Sequence, residues 1–235
     1  MNIALFGYGK MGKMLEKLGT ERGHSFPLKI ELETNVSMID FSSVDVAIEF
    51  STPESAFENI KLCFKHDIPV ISGTTGWLEH YKEAVSLCKK QNGAFIYASN
   101  FSLGVNLFFE LNEKLAKMMA KVKDYEASIE EIHHIHKLDA PSGTAITLAQ
   151  GIIEHTDYSG WNLEAKSNLE IPISAKREAE VPGTHSINYT SAVDSIEIRH
   201  IANNREGFAL GALIAAEWIQ GKKGVFSMKD VLNLV

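Results

Sequence analysis

Within the first hundred residues, short apolar runs rich in β-branched residues alternate with stretches of helical spacing. No other feature constrains the fold as strongly. The runs cover residues 2–6, 25–30, 44–50, 68–72 and 94–98. Residues 10–22, 53–65 and 77–91 lie between them, the second stretch with Ala56, Ile60 and Cys63 at helical spacing. Unbroken apolar strands alternating with helices are the pattern of a parallel sheet covered on both faces. An α/β fold with an N-terminal Rossmann-type parallel-sheet domain is therefore expected. Residues 33–43 fit no element.

After Asn100 the rhythm changes. Residues 105–120 and 142–153 read as helices, and 125–136 as a strand mixing polar and apolar positions. Residues 169–173, 186–193 and 195–201 alternate in the manner of antiparallel strands. Residues 207–220 form a last long helix, closed by Gly221-Lys222-Lys223-Gly224. This predicts a second, α+β domain over residues 103–205, with residues 1–102 and 206–235 forming the first. With 235 residues, 45% of them hydrophobic and 23% charged, the chain can bury a sizeable core.

Several classes of partner are excluded. There is no run of about eighteen apolar residues, so no membrane partner is expected. A net charge of −7 without a basic tract argues against nucleic acid. Residues 1–7 pass into an apolar strand without a basic region or a cleavage site, which predicts no secretory leader. The two cysteines, Cys63 and Cys88, lie in helix-patterned segments, which favours a reducing cytoplasm.

Gly7-Tyr8-Gly9-Lys10-Met11-Gly12 fits G-x-G-x-x-G, a weak pattern alone. Here it follows an apolar strand and opens a helix, as dinucleotide binding requires. Gly7 permits the tight turn, Gly9 lets the backbone approach a pyrophosphate, and Gly12 allows close packing of helix on strand. The amides of the first helical turn then face the anion. Glu31 ends the second run where such folds place an acid on the adenosine ribose, with Glu33 as a rival. Ser51-Thr52-Pro53 and Gly73-Thr74-Thr75-Gly76 follow strand ends, where ligands of open parallel sheets sit. The second of these could equally be a plain turn.

The densest chemistry is Glu131-Ile132-His133-His134-Ile135-His136-Lys137-Leu138-Asp139-Ala140-Pro141-Ser142-Gly143-Thr144. Asp139 or Ser142 can cap the helix that follows, Pro141 fits its first turn, and Gly143 and Thr144 offer unpaired amides. A helix N-terminus beside a lysine and histidines is a receptor for carboxylates, and the same groups can move protons near neutral pH. His134 and His136 on one strand face could instead bite a metal. The charge of Lys137 opposes that, and no metal is expected.

At these residues the sequence resembles the 4-hydroxy-tetrahydrodipicolinate (dihydrodipicolinate) reductases of lysine and diaminopimelate synthesis. Their signature, E-x-H-H-x-x-K-x-D-x-P-S-G-T, is matched from Glu131 to Thr144 at every fixed position. The resemblance extends to the glycine loop, residues 73–76 and 98–102, Val181-Pro182-Gly183-Thr184 and residues 224–234. It implies hydride transfer from NADH or NADPH to a cyclic imine dicarboxylate, formed by loss of water from the hydroxylated substrate. It implies His133 as proton donor and acceptor, Lys137 as proton donor and His134 as a substrate contact. Gly143 and Thr144 would bind a carboxylate. Gly73, Thr74 and Thr75, with Ala98, Ser99, Asn100 and Phe101, would join Gly7, Gly9, Lys10, Met11, Gly12 and Glu31 at the cofactor. The second domain would bind substrate and build a homotetramer.

Three positions depart from the family: Ile135 and Leu32 stand where arginine is frequent, and Lys10 replaces another. The acid at Glu31 without a neighbouring arginine predicts use of both cofactors, NADH at least as well as NADPH. Lys10 and Lys29 remain as candidate partners for a 2′-phosphate. The rival readings are another two-domain amino-acid dehydrogenase, for aspartate or homoserine, which would lack the histidine–lysine–helix cluster, and a non-catalytic cofactor sensor, which would leave His133 and Lys137 without a role.

Overall fold

The computed structural model describes residues 1–164 and 167–234. The chain divides into two compact units, Met1–Leu103 together with the chain from Glu206 onward, and Gly104–Arg205.

In the first unit, β1 (Asn2–Phe6), α1 (Lys10–Glu21), β2 (Ser25–Ile30), β3 (Val46–Glu49), α2 (Pro53–Lys65), β4 (Val70–Ser72), α3 (Tyr81–Lys90) and β5 (Ala94–Tyr97) succeed one another. Every strand pairing here is parallel. Ile3–Phe6, β3 and β4 are buried without a break because the sheet is covered on both faces. Ile3, Leu5, Val46, Ile48, Ile71 and Ile96 point to one core, and Ala4, Phe6, Ala47, Val70 and Phe95 to the other. The stretch expected as one helix over 77–91 is a 3-10 turn, Leu78–His80, followed by α3. Trp77 is buried before the turn, its indole N–H donating to the Thr74 carbonyl at 2.8 Å.

The second unit holds α4 (Leu103–Met119), β6 (Glu126–His133), α5 (Gly143–Ile153), β7 (Gly160–Asn162), β8 (Glu170–Arg177), β9 (Thr184–Thr190) and β10 (Ser195–Ile201). Its sheet runs β10-β9-β6-β8-β7. Ala145, Leu148, Ala149 and Ile152 of α5 pack with Ala127, Ile129, Ile171, Ile173 and Ile187 of the sheet. The expectation of antiparallel strands is correct for β9 and β10 and wrong for β8, which pairs in parallel with β6 and β7. Period-two alternation reports burial of one face and carries no information on direction. The strand expected over 125–136 ends at His133, so His134 and His136 lie in the following turn and share no strand face.

The chain then returns to the first unit as α6 (Glu206–Ile219), β11 (Gly224–Phe226) and α7 (Met228–Val231). β11 pairs with β5 and completes the order β11-β5-β4-β3-β1-β2. α6 lays Ala209, Ala212, Leu213, Ala216 and Ile219 on the first core. No helix among the described residues is long and apolar enough to cross a membrane.

Candidate active site

The glycine turn between β1 and α1 is shaped by close approach. Gly7 has φ +92°, and a Cβ there would stand 2.0 Å from the Phe50 carbonyl oxygen. A Cβ at Gly12 would stand 2.4 Å from the Gly7 oxygen, whereas one at Gly9 would meet nothing within 4 Å. The outer glycines are thus required by the fold, and the middle one leaves the backbone open. It opens on a cavity of about 570 Å³ lined by Gly7, Tyr8, Gly9, Glu31, Leu32 and Ser51 among others. The cavity lies at the carboxyl ends of β1, β2 and β3, where the sheet order reverses and such folds bind nucleotides. No acidic residue occupies the first turn of α1, so the amides of Lys10, Met11 and Gly12 can receive an anion.

Glu31 follows β2 directly, its N–H donating to Thr34 Oγ1 at 2.9 Å. Lys29 is occupied: its ammonium pairs with Glu16 and stands 5.0 Å above the Tyr8 ring, while the Tyr8 hydroxyl also donates to Glu16. Lys10 is exposed.

The loops after β4 and β5 turn some expected residues inward. Thr74 is buried, its hydroxyl donating to Glu49 at 2.9 Å and accepting from the Ser51 N–H at 2.9 Å. A Cβ on Gly73 would fall 2.2 Å from the Phe50 ring. Phe101 is buried with its ring 5.9 Å from that of Phe50. The Thr74 and Phe101 side chains therefore serve the interior, and these segments offer backbone together with the exposed Thr75 and Ser99. The Ala98 N–H donates to the Ser72 carbonyl, and Asn100 Oδ1 accepts from the Ser102 N–H.

Glu49 belongs to no local motif. It is fully buried at the end of β3 and accepts from the Ser51 N–H (3.0 Å), the Ser72 hydroxyl (2.7 Å), Thr74 and the Ser51 hydroxyl. It ties the end of β4 to the loop before α2. An acid closing the run Val46-Ala47-Ile48 was the available signal.

In the second unit, β6 alternates so that Ala127, Ile129, Glu131 and His133 face inward. Glu131 Oε2 accepts from the Ser142 N–H at 3.0 Å and lies 3.6 Å from His133 Nδ1 and 3.7 Å from His185 Nε2. Burial raises the Glu131 carboxyl, but bonds from His185 and Ser142 and the electrostatic pull of the His133 ring outweigh it, and its pKa falls to about 2. Burial lowers His133 to about 4 against the pull of Glu131, helped by His185, Lys137 and Arg177. His133 is thus a neutral imidazole at neutral pH. Gly183 approaches it closely: a Cβ there would stand 3.2 Å from His133 Nε2.

Lys137 is largely covered and pairs with both Asp139 oxygens, at 2.7 and 2.8 Å. Asp139 is therefore not the helix cap. Ser142 is, its hydroxyl accepting from the Ala145 N–H at 3.2 Å, and Pro141 precedes the cap instead of entering the first turn. The amides of Gly143 and Thr144 open α5, with empty space where a Gly143 side chain would be. His134 bonds Arg205 at 3.0 Å, and the exposed His136 lies 3.7 Å from Glu180. Arg177 and His185 belong to this cluster and had no local motif. Three side chains able to ligate a metal do converge, Glu131, His133 and His185. They are not His134 and His136, the pair that the sequence offered as a metal alternative, and Arg177 stands 3.3 Å from the same Glu131.

Fold and cavity define a two-unit protein with a Rossmann-type dinucleotide domain. Residues 19–101 match the family model "Dihydrodipicolinate reductase, N-terminus", and residues 104–232 match "Dihydrodipicolinate reductase, C-terminus". The chain belongs to the dihydrodipicolinate reductase family. It is 56% identical over 234 residues to a 4-hydroxy-tetrahydrodipicolinate reductase of Christiangramia forsetii, covering 99% of this chain and 98% of that protein. Its fold is similar to a dipicolinate-bound dihydrodipicolinate reductase from Paenisporosarcina sp. TG-14, with TM-score 0.79, 24% identity and 100% and 99% of the two chains covered. Aspartate dehydrogenase of Thermotoga maritima is similar at TM-score 0.52 and 15% identity, over 92% of this chain and 95% of that one.

Proposed function

We propose that this chain is an NAD(P)H-dependent oxidoreductase that reduces 4-hydroxy-tetrahydrodipicolinate, through its dehydrated cyclic imine, to tetrahydrodipicolinate in lysine and diaminopimelate synthesis. The observation that carries the reading is the cluster at the end of β6: a neutral buried imidazole, a held ammonium and an open helix N-terminus within residues 133–144.

NADH or NADPH supplies the hydride. The chain's own residues do the rest. Gly9 and the first turn of α1 receive the pyrophosphate, with Gly7, Lys10, Met11 and Gly12 shaping that turn. Glu31 accepts from the adenosine ribose. Gly73 to Thr75 and Ala98 to Phe101 border the cofactor, chiefly through backbone. Gly143 and Thr144 bind one substrate carboxylate, and His134 contacts the ring. Lys137 donates the proton that accompanies the hydride. His133, neutral in the free protein, accepts a proton and returns it, and a dianionic ligand beside it raises its affinity for that proton. The enzyme works as a cytoplasmic homotetramer built through the second unit's sheet, where β10 leaves Ile196 and Ile201 exposed. Engagement of Lys29 by Glu16 supports NADH as at least the equal of NADPH. Coupling the protein to dihydrodipicolinate synthase, pyruvate and aspartate semialdehyde tests the reading. Reduced cofactor should be consumed only when both synthase substrates are present.

A further inference from the structure

The segment between β6 and α5 carries Lys137, yet residues 134–141 form no helix or strand. Its tip has no apolar anchor, since Leu138 is 97% exposed. The Ile135 N–H reaches the Ala179 carbonyl at 3.2 Å, and the Lys137 N–H turns back to His134 at 3.1 Å. Such a loop fixes an ammonium poorly by itself.

Arg177 supplies the missing hold. In the parallel register of β6 and β8, His133 stands opposite Arg177 and Glu131 opposite Ala175. That register brings the guanidinium under the loop. Its Nε donates to the Lys137 carbonyl at 3.3 Å and its Nη2 to the Asp139 carbonyl at 2.6 Å. Nη1 and Nη2 also reach Glu131 Oε1 at 3.4 and 3.3 Å, and Nη1 donates to the Lys176 carbonyl at 2.8 Å. Glu131 is fully buried and holds the Ser142 N–H through its other oxygen. One chain of contacts thus joins the end of β8, the end of β6, the start of α5 and both sides of the loop tip.

We propose that Arg177 is the positioning residue for Lys137: braced on Glu131, it fixes the carbonyls of Lys137 and Asp139 and so holds the ammonium and its carboxylate partner in register. This rests on Lys137 being the proton donor. Arginine suits the task because its planar fork serves several acceptors in fixed directions, which a lysine cannot do. Misplacing a reacting group by about 1 Å can cost on the order of a hundredfold in rate.

The test compares parent, Arg177→Ala and Arg177→Lys by hydrogen exchange of residues 134–142 and by steady-state kinetics. The lysine variant keeps a charge beside buried Glu131 and guards against a variant that fails to fold. Both variants should exchange the loop faster than the parent while α1 and β1 are unchanged. Both should lose on the order of a hundredfold in kcat with KM for NADH within about twofold. Low-millimolar guanidinium should restore part of the Arg177→Ala rate, which a loss of fold stability alone would not allow. Parental loop exchange in both variants, or parental turnover with a loosened loop, overturns the proposal. A parent without turnover contradicts the reaction assigned to the chain, and the loop exchange still decides whether Arg177 holds the loop.

Discussion

Glu131 Oε2 lies 3.6 Å from His133 Nδ1, yet the imidazole stays neutral with a pKa of about 4. A neighbouring carboxylate ordinarily raises a histidine. Here burial wins, and His185, Lys137 and Arg177 add to it.

Acid stability follows from this pair. In the unfolded chain a histidine titrates near ~6.5 and a glutamate near ~4.3, above the folded values of about 4 and about 2. The unfolded state therefore binds more protons in both windows. The stability contributed by His133 is complete above ~6.5 and is lost as pH falls through about 4. That of Glu131 is complete above ~4.3 and is lost as pH falls through about 2. Thermal melting should fall progressively below about pH 6.5, and His133→Gln should flatten the upper part of the decline. An identical pH profile in that variant would contradict the assignment.

Lys137→Ala and His133→Ala should each lower kcat, since a positioned acid or base typically supplies about a hundred- to ten-thousandfold. Affinity for NADH, read from the fluorescence of bound cofactor, should be unchanged, because both residues belong to the second unit and the glycine turn to the first. Wild-type turnover in Lys137→Ala would remove its role as proton donor.

Glu49 gives a contrast between two variants. Glu49→Gln can keep one oxygen facing Ser51 and Thr74, while its amide donates to a reoriented Ser72 hydroxyl. Glu49→Ala leaves the buried Ser72 and Thr74 hydroxyls without their carboxylate acceptor, at a cost of about 1–3 kcal/mol for each group left unsatisfied. Glu49→Ala should melt well below the parent and bind NADH more weakly, with Glu49→Gln close to the parent. Equal losses in both would show that the hydrogen bonds are not what matters.

Local features of the sequence were legible because local rules set them. The glycine turn, the buried parallel strands, the helix start at Ser142 and the cluster from Glu131 to Lys137 all lie within short windows. What stayed hidden depends on residues far apart. Arg177 meets Glu131 across 46 positions, and His185 meets Ser142 across 43. The direction of β8 is set by its neighbour β6, and strands such as β7 and β11, three residues each, are too short to show a period. The inward turn of Thr74 depends on Glu49, itself concealed within an apolar run.

Cofactor choice is read from the ratio of kcat/KM for NADH and NADPH at low salt. With Glu31 at the cavity and Lys29 bound to Glu16, NADH should be used at least as well as NADPH. Glu16→Gln should release Lys29 and move the ratio toward NADPH. A parental preference for NADPH of about tenfold or more, ~1.4 kcal/mol, would show that the acid at position 31 does not govern the site.

A dicarboxylate such as pyridine-2,6-dicarboxylate should bind at the Gly143 and Thr144 amides. It should compete with the substrate in steady-state inhibition. Competition with NADH instead would displace the carboxylate site from the start of α5.

Hydride delivery is tested most directly by following deuterium from NADH labelled at the transferring C4 position into the synthase-coupled product. Mass spectrometry of the tetrahydrodipicolinate should find one deuterium per ring, with one labelled cofactor oxidised for each ring formed. Cofactor oxidation without label in the ring, or no oxidation by folded protein at saturating cofactor, would contradict the reaction assigned to this chain.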